Sequence, residues 1–283
     1  MLEAFDDIDQ DWLLNTNQLD LQGKYVLVDF WTYSCVNCVR TVPQIEEMYR
    51  KLSSKGLVVV GVHTPEFEFE KIPPNVTRAI KNLQITYPVI LDPEYYIWAY
   101  FNNQYWPAHY LFDKDGELIY ESIGEEGADE LVRILNEIFG EELPVSTVNS
   151  IKTGKVTPEI YLGKARGDLG NSAVCNGDSC NIYLLPDKRK AETAYLEGAW
   201  EQKEQFIESL SDESRIHIVF IGASISGVFD SPSEIFIKCS LDGEETSVKI
   251  GGPNTYNLCQ TEYSQRNLVL TIPKGVRVFT LSF

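Results

Sequence analysis

The sequence predicts an α/β domain followed by an antiparallel β-sandwich of the jelly-roll type. In the first half, continuous apolar runs at residues 25–28 and 57–62 enclose a segment whose apolar residues recur near a 3.6-residue period. Beyond residue 155, short segments alternate apolar and polar residues between turns rich in glycine and proline. Residues 144–156 have no such pattern and predict a linker, so the domains are residues 1–143 and 157–283.

The elements of the first domain follow from their apolar patterns in chain order. Residues 1–24 carry scattered apolar side chains that we expect to pack on this domain. Gly56 ends the first helix, and Gly116 supplies the positive φ of a hairpin turn. The predicted order is strand 25–28, helix 39–52, strand 57–62, helix 76–83, strand 87–90, helix 94–101, strand 109–112, strand 118–120 and helix 128–139.

Two cysteines, Cys35 and Cys38, stand at the predicted N-terminus of the first helix. The unpaired N–H groups and the positive end of the helix dipole favour a thiolate, so Cys35 should ionise more easily than a free cysteine. Cys38 lies one helical turn further on the same face, within reach of a disulfide with Cys35. The spacing therefore predicts a redox pair, with Cys35 as the nucleophile and Cys38 as the resolving thiol.

Zinc binding and a structural bridge are the alternatives for this pair. Zinc would need two more ligands, but there is no second CxxC, and the three histidines are scattered without ligand spacing. A structural disulfide gains most by closing a long loop, and this one closes almost none. We therefore predict no metal site.

Three segments carry a family resemblance. Residues 26–43 resemble thioredoxin, with Asp29 six residues before the first cysteine and Pro43 five after the second. Residues 30–38, 63–67 and 105–108 more closely resemble the TlpA-like extracytoplasmic domain of DipZ-type thiol-disulfide oxidoreductases. Residues 157–163 and 275–279 resemble the carbohydrate-binding-module-like domain that follows it in such proteins.

The resemblance implies a thioredoxin-like fold of the TlpA/peroxiredoxin-like variant and a set of site residues. Trp106 and a cis Pro107 would present the partner's backbone, and Trp31 joins the implied substrate-binding set. Glu66 would serve as a proton relay, although an ordinary turn or cap role is equally open. The Cys35–Cys38 disulfide is the only redox group implied, with no separate cofactor.

Asp29 is the predicted proton acceptor for Cys38. It stands at the end of an apolar strand, where burial and a nearby thiolate both disfavour its charged form. We therefore expect the pKa of this carboxyl to be raised towards the working range of a general base. A buried carboxyl kept only for structure is the alternative.

The charge distribution restricts the partners. The formal net charge is −18, and residues 1–150 hold 25 acidic and 10 basic residues against 17 and 14 in the remainder. Such a field repels nucleic acid and anionic membrane surfaces. We expect protein thiols and disulfides as substrates. The resemblance implies a further partner, a membrane electron-donor domain of the same or another protein. Whether the sandwich binds a glycan is left open.

The resemblance also implies an extracytoplasmic location, on the periplasmic or cell-surface side. Residues 1–20 lack a basic region followed by an apolar run, so no signal peptide is predicted, and the chain can be a soluble fragment of a membrane protein. An oxidising compartment would allow further bridges. Cys239 is either a buried thiol or bridged to Cys259, and Cys175 and Cys180 flank a turn that a disulfide could close.

Two other functions are alternatives to disulfide exchange. A thiol peroxidase of the peroxiredoxin type needs a proline four residues before Thr32, and the sequence has none there. A glycan-binding or anchoring protein would use the sandwich as its main functional part. Trp200 is its one candidate aromatic platform, but its strand pattern favours the core.

Overall fold

The computed structural model describes residues 1–6, 8–16, 18–144, 154–176 and 179–283. The chain forms two compact units, Met1–Ile151 and Lys152–Phe283. Most of the predicted linker, residues 145–153, lies outside the described residues. Among the described helices, none has the length and apolar character needed to cross a membrane.

The first unit is built on a mixed sheet with helices around it. Strand β2 lies at its centre, parallel to β3 on one side and antiparallel to β5 on the other. The strand order is β1-β4-β3-β2-β5-β6. The strands are β1 (Leu13–Leu14), β2 (Tyr25–Trp31), β3 (Leu57–His63), β4 (Val89–Leu91), β5 (Ala108–Phe112) and β6 (Leu118–Ile123).

The four α-helices of this unit match the predicted ones in order. They are α1 (Val36–Leu52), α2 (Pro73–Asn82), α3 (Tyr96–Tyr100) and α4 (Ala128–Phe139). Helix α1 begins three residues earlier than its apolar pattern indicates, because Cys35 caps it. The hairpin turn before β6 has Gly116 at φ +81°, as predicted. The predicted thioredoxin-like fold is confirmed.

Side-chain alternation along β2 places two different cores on the two faces of the sheet. Val26, Val28 and Phe30 pack on one face, with the N-terminal Phe5. Leu27 and Trp31 pack on the other, in the cluster that contains Cys38. Asp29 lies between Leu27 and Trp31 in the alternation and therefore points to the face that carries the cysteines.

The second unit is an antiparallel β-sandwich, as predicted. Its long strands β12 (Ser214–Asp230) and β15 (Asn254–Ile272) form an antiparallel pair with two register shifts, and the other strand pairings among the described residues are antiparallel as well. Trp200 is fully buried in its core. The strands are β7 (Ile160–Tyr161), β8 (Val174–Asn176), β9 (Ser179–Tyr183), β10 (Tyr195–Gln202), β11 (Ile207–Ser209), β12 (Ser214–Asp230), β13 (Ile235–Leu241), β14 (Glu244–Ile250), β15 (Asn254–Ile272) and β16 (Arg277–Ser282).

The four cysteines of the sandwich form one bridge, not two. Cys175 and Cys180 lie opposite each other on β8 and β9 and are disulfide-bonded. The predicted option of a Cys239–Cys259 bridge is wrong, because both residues are free thiols. Their pairing explains the difference: Cys239 lies opposite Leu270 of β15, whereas Cys259, on β15 itself, lies opposite Ile225 of β12. Residues 177 and 178, within the predicted turn, lie outside the described residues.

Candidate functional site

A disulfide between Cys35 and Cys38 stands at the N-terminus of α1. Cys35 is the N-cap residue, and its Sγ accepts a hydrogen bond from the Cys38 backbone N–H at 3.2 Å. The Cys35 side chain is half-buried, whereas Cys38 is fully buried. Only Cys35 therefore presents its sulfur to a partner, and the helix end stabilises negative charge on that sulfur.

Asp29 is a buried carboxyl on the same face of the sheet. Its side chain is 1% exposed, and its Oδ2 accepts a hydrogen bond from the Tyr87 hydroxyl at 3.5 Å. Burial raises its pKa to about 7, against a smaller opposing effect of that hydrogen bond. The pKa of Asp29 is therefore shifted upwards, as predicted, and the carboxyl can gain or lose a proton near neutral pH.

Gly61 makes room for this arrangement. It lies opposite Asp29 on the neighbouring strand β3. A Cβ atom at Gly61 would come within 2.9 Å of the Tyr87 ring and 3.0 Å of the Trp31 indole nitrogen. Any larger residue at this position would push Tyr87 away from the carboxyl.

His109 lies directly opposite Asp29 on strand β5, the neighbour of β2 on the side away from β3. Its Nε2 is 3.4 Å from Asp29 Oδ1, and its Nδ1 is 3.3 Å from the hydroxyl of Ser122. Burial lowers the pKa of this imidazole to about 4. At neutral pH the ring is therefore uncharged, and its contact with Asp29 is not an ion pair.

Glu70 is a buried residue that sequence reasoning missed. Its Oε1 accepts hydrogen bonds from the Thr32 hydroxyl and, at 3.1 Å, from the Ser34 backbone N–H. Its Oε2 accepts from the backbone N–H groups of Glu66 and Phe67 at 2.7 and 2.9 Å. Glu70 thus ties the turn before Cys35 to the loop after β3.

The local sequence gives little sign of this role. Glu66, Glu68 and Glu70 alternate with phenylalanines, and nothing in that pattern separates buried Glu70 from exposed Glu68. The buried carboxylate beneath the active-site turn is that of Glu70. Glu66, the predicted relay, is half-buried and contributes its backbone N–H to Glu70.

The predicted substrate-binding residues divide into two groups. The Trp106–Pro107 peptide bond is cis, as the resemblance implies. The half-buried Trp106 packs against Trp98, with ring centroids 4.2 Å apart and ring planes tilted by 37°. The prediction that Trp31 contacts substrate is wrong: its side chain is 0% exposed and packs edge-on against His63, so no partner can reach it.

The described part of the chain contains no group of three or more His, Cys, Asp or Glu side chains placed to hold a metal ion. The reactive groups that the described site presents are the two sulfurs and the buried titratable side chains around them.

Comparison with known proteins gives matches over both units. A family model described as Redoxin matches residues 9–137, and one described as Thioredoxin like C-terminal domain matches residues 157–283. Protein DipZ of Mycobacterium bovis is 32% identical over 93% of this chain, which spans 39% of its length. Thiol-disulfide oxidoreductase YkuV of Bacillus subtilis is 33% identical over 42% of this chain and 79% of its own length.

Among solved structures, the solution structure of a thioredoxin-like protein in the oxidised form is 30% identical. The match covers 46% of this chain and 90% of that protein, with a TM-score of 0.42. The chain is similar to DipZ over both units, and the match to YkuV, together with the Redoxin model, shows its family: it belongs to the thioredoxin-like thiol-disulfide oxidoreductases.

Proposed function

We propose that the chain exchanges disulfides with protein substrates through the Cys35–Cys38 pair. The observation that carries this proposal is the combination of a half-buried Cys35 at a helix N-terminus, a buried bonded partner in Cys38, and a buried carboxyl with a pKa near neutrality. A structural bridge has no need of such a carboxyl, whereas a cycling dithiol does.

In the reducing direction, the Cys35 thiolate attacks one sulfur of the substrate disulfide and displaces the other as a thiolate. Cys38 then attacks Cys35 Sγ, which releases the second substrate sulfur and forms the Cys35–Cys38 disulfide. Two electrons pass from the protein dithiol to the substrate. The proton of the Cys38 thiol passes to Asp29, which acts as the general base.

Trp106 is positioned to receive an extended substrate segment. Strand β5 begins two residues later, at Ala108. Within the described residues the backbone N–H and C=O of Trp106 itself take part in no backbone hydrogen bond. A substrate strand can therefore pair with this backbone next to the disulfide, as strands add to open sheet edges.

The partners and location follow from the family. We infer that the protein works outside the cytoplasm and takes electrons from a membrane domain of the same or another protein. Since the chain spans 39% of DipZ, a larger relative has room for such a domain. The disulfide serves as the only redox group, without another cofactor. The sandwich acts as a docking or assembly platform; its buried Trp200 donates its indole N–H to the backbone carbonyl of Glu197 and offers no sugar platform.

The full chain is expected to accelerate the reduction of insulin disulfides by dithiothreitol, because Cys35 is a better nucleophile than a free thiol. Cys35→Ala should abolish the acceleration. The matched control removes the other bridge through Cys175→Ala and Cys180→Ala, and it should retain the activity. Turbidity of the reduced insulin chains measures the rate. Equal rates for Cys35→Ala and the unmodified protein would refute the proposal.

A further inference from the structure

A row of three polar side chains crosses the sheet from its centre to its edge. Asp29 of β2 lies directly opposite His109 of β5, and His109 lies directly opposite Ser122 of β6. Strand β6 is the last strand in the sheet order. Asp29 and His109 are 1% and 0% exposed, whereas Ser122 is half-buried. The row therefore runs from the interior towards solvent.

The atoms of this row face each other in sequence. Asp29 Oδ1 is 3.4 Å from His109 Nε2, and His109 Nδ1 is 3.3 Å from Ser122 Oγ. Neither Asp29 Oδ1 nor His109 Nε2 has a hydrogen-bond partner elsewhere in the described chain. A movement of about half an ångström brings either contact to ordinary hydrogen-bond length.

A buried general base needs such a connection, because it must exchange its proton with solvent once in each half-reaction. The other oxygen of Asp29 offers no outlet, since its partner Tyr87 is 0% exposed. We propose that His109 and Ser122 form a relay that carries protons between Asp29 and solvent. This inference rests on the proposed role of Asp29 as the base for Cys38.

An imidazole can pass a proton in each direction of the cycle, because one ring nitrogen accepts a proton while the other releases one. When the dithiol is oxidised, the Cys38 proton moves to Asp29, then from Oδ1 to His109 Nε2, while the Nδ1 proton leaves through Ser122 Oγ. The ring stays neutral overall but changes tautomer. When the disulfide is reduced again, Cys38 takes a proton from Asp29, and a proton enters along the same path in reverse. Each full cycle thus restores the starting tautomer without rotation of the buried ring.

A pair of variants at Ser122 isolates the relay. Ser122→Val removes the hydroxyl, and Ser122→Thr keeps it. Both add a methyl group beside Gly127, which packs closely on Ser122, so their steric costs are matched. Neither replaces a residue in contact with the disulfide, and both are tested in the full chain.

The experiment mixes reduced protein with dithiobis-nitrobenzoate, whose aryl thiolate products stay deprotonated at neutral pH. Stopped-flow absorbance follows thiolate release, and a pH-indicator dye follows the proton that leaves Cys38. In the unmodified protein and in Ser122→Thr the proton should appear together with the second aryl thiolate, which is released when Cys38 attacks Cys35 Sγ. In Ser122→Val the proton should lag behind the thiolate by roughly tenfold or more in rate. A purely structural defect would slow both traces together.

His109→Ala gives a second test, because it removes the ring between Asp29 and Ser122. It should show the same lag, and added imidazole should shorten it. Coincident traces in both Ser122→Val and His109→Ala would overturn the relay. If the unmodified protein released no more aryl thiolate than a Cys35→Ala variant, the proposed function would fail instead, and that result is distinct from failure of the relay.

Discussion

Cys38→Ala should convert the protein into a trap for its substrates. Cys35 is the half-buried sulfur at the end of α1 and can still attack a substrate disulfide, but the mixed disulfide then has no resolving thiol. Covalent adducts on Cys35 should accumulate to near completion, whereas turnover with insulin should fall to the uncatalysed rate. Mass spectrometry of the Cys35 peptide identifies the adduct.

Cys35→Ala is the matched control, since it removes the other sulfur of the same bridge. Cys38 is buried, so it should form few adducts. Adducts found chiefly on Cys38 in this variant, and absent from Cys35 in Cys38→Ala, would reverse the assigned roles of the two sulfurs.

Asp29→Asn should stabilise the oxidised protein in a pH-dependent way. The pKa of Asp29 is raised from 3.8 to about 7 in the folded state, so the folded protein holds this proton more tightly than the unfolded chain does. Below about pH 4 the carboxyl is protonated in both states and carries no penalty. As the pH rises from about 4 to about 7, the unmodified protein loses stability, by on the order of 4 kcal/mol in total.

The asparagine variant lacks this loss, so its advantage in free energy of unfolding should grow across that window and level off above it. Urea denaturation at a series of pH values measures the difference, and any pH-independent packing effect of the amide cancels. Asp115→Asn, in the exposed hairpin turn, controls for the loss of a surface carboxylate. A difference between Asp29→Asn and the unmodified protein that does not change with pH would show that Asp29 is ionised normally.

The same substitution should slow the resolution step by roughly 10²-fold, because the amide cannot accept the Cys38 proton. The initial attack by Cys35 should change little. Stopped-flow kinetics separate the two steps, and an unchanged resolution rate near neutral pH would show that Asp29 is not the base.

The helices and strands were predictable where the local pattern of apolar residues indicates which side chains are buried. The apolar run of β2 and the periodicity of α1 gave both elements and placed the CxxC at the helix start. The boundaries shifted because caps extend elements beyond their apolar patterns, as Cys35 does for α1. Helix α4 was predicted with its observed bounds, since it has an apolar stripe and Gly140 ends it in the left-handed region at φ +65°.

The site was predictable only for residues that belong to a motif. Glu70 and His109 depend on contacts between distant segments: Glu70 meets Thr32 across 38 residues, and His109 meets Asp29 through strand pairing. A histidine in the apolar strand 108–112 was the one available sign of a buried polar contact. Trp31 failed as a substrate residue because strand alternation turns its side chain into the core, and the motif alone carries no such information.

Cys35 and Cys38 should form a reversible dithiol/disulfide couple, and equilibration in glutathione buffers of graded ratio tests this property. Alkylation followed by mass spectrometry reads the state of the peptide that contains both residues. We expect a single two-electron transition from the bridged to the doubly alkylated peptide, reversed by oxidised glutathione. A pair that stays bridged at every ratio while the chain remains folded would be a structural disulfide and would rule out disulfide exchange through Cys35 and Cys38.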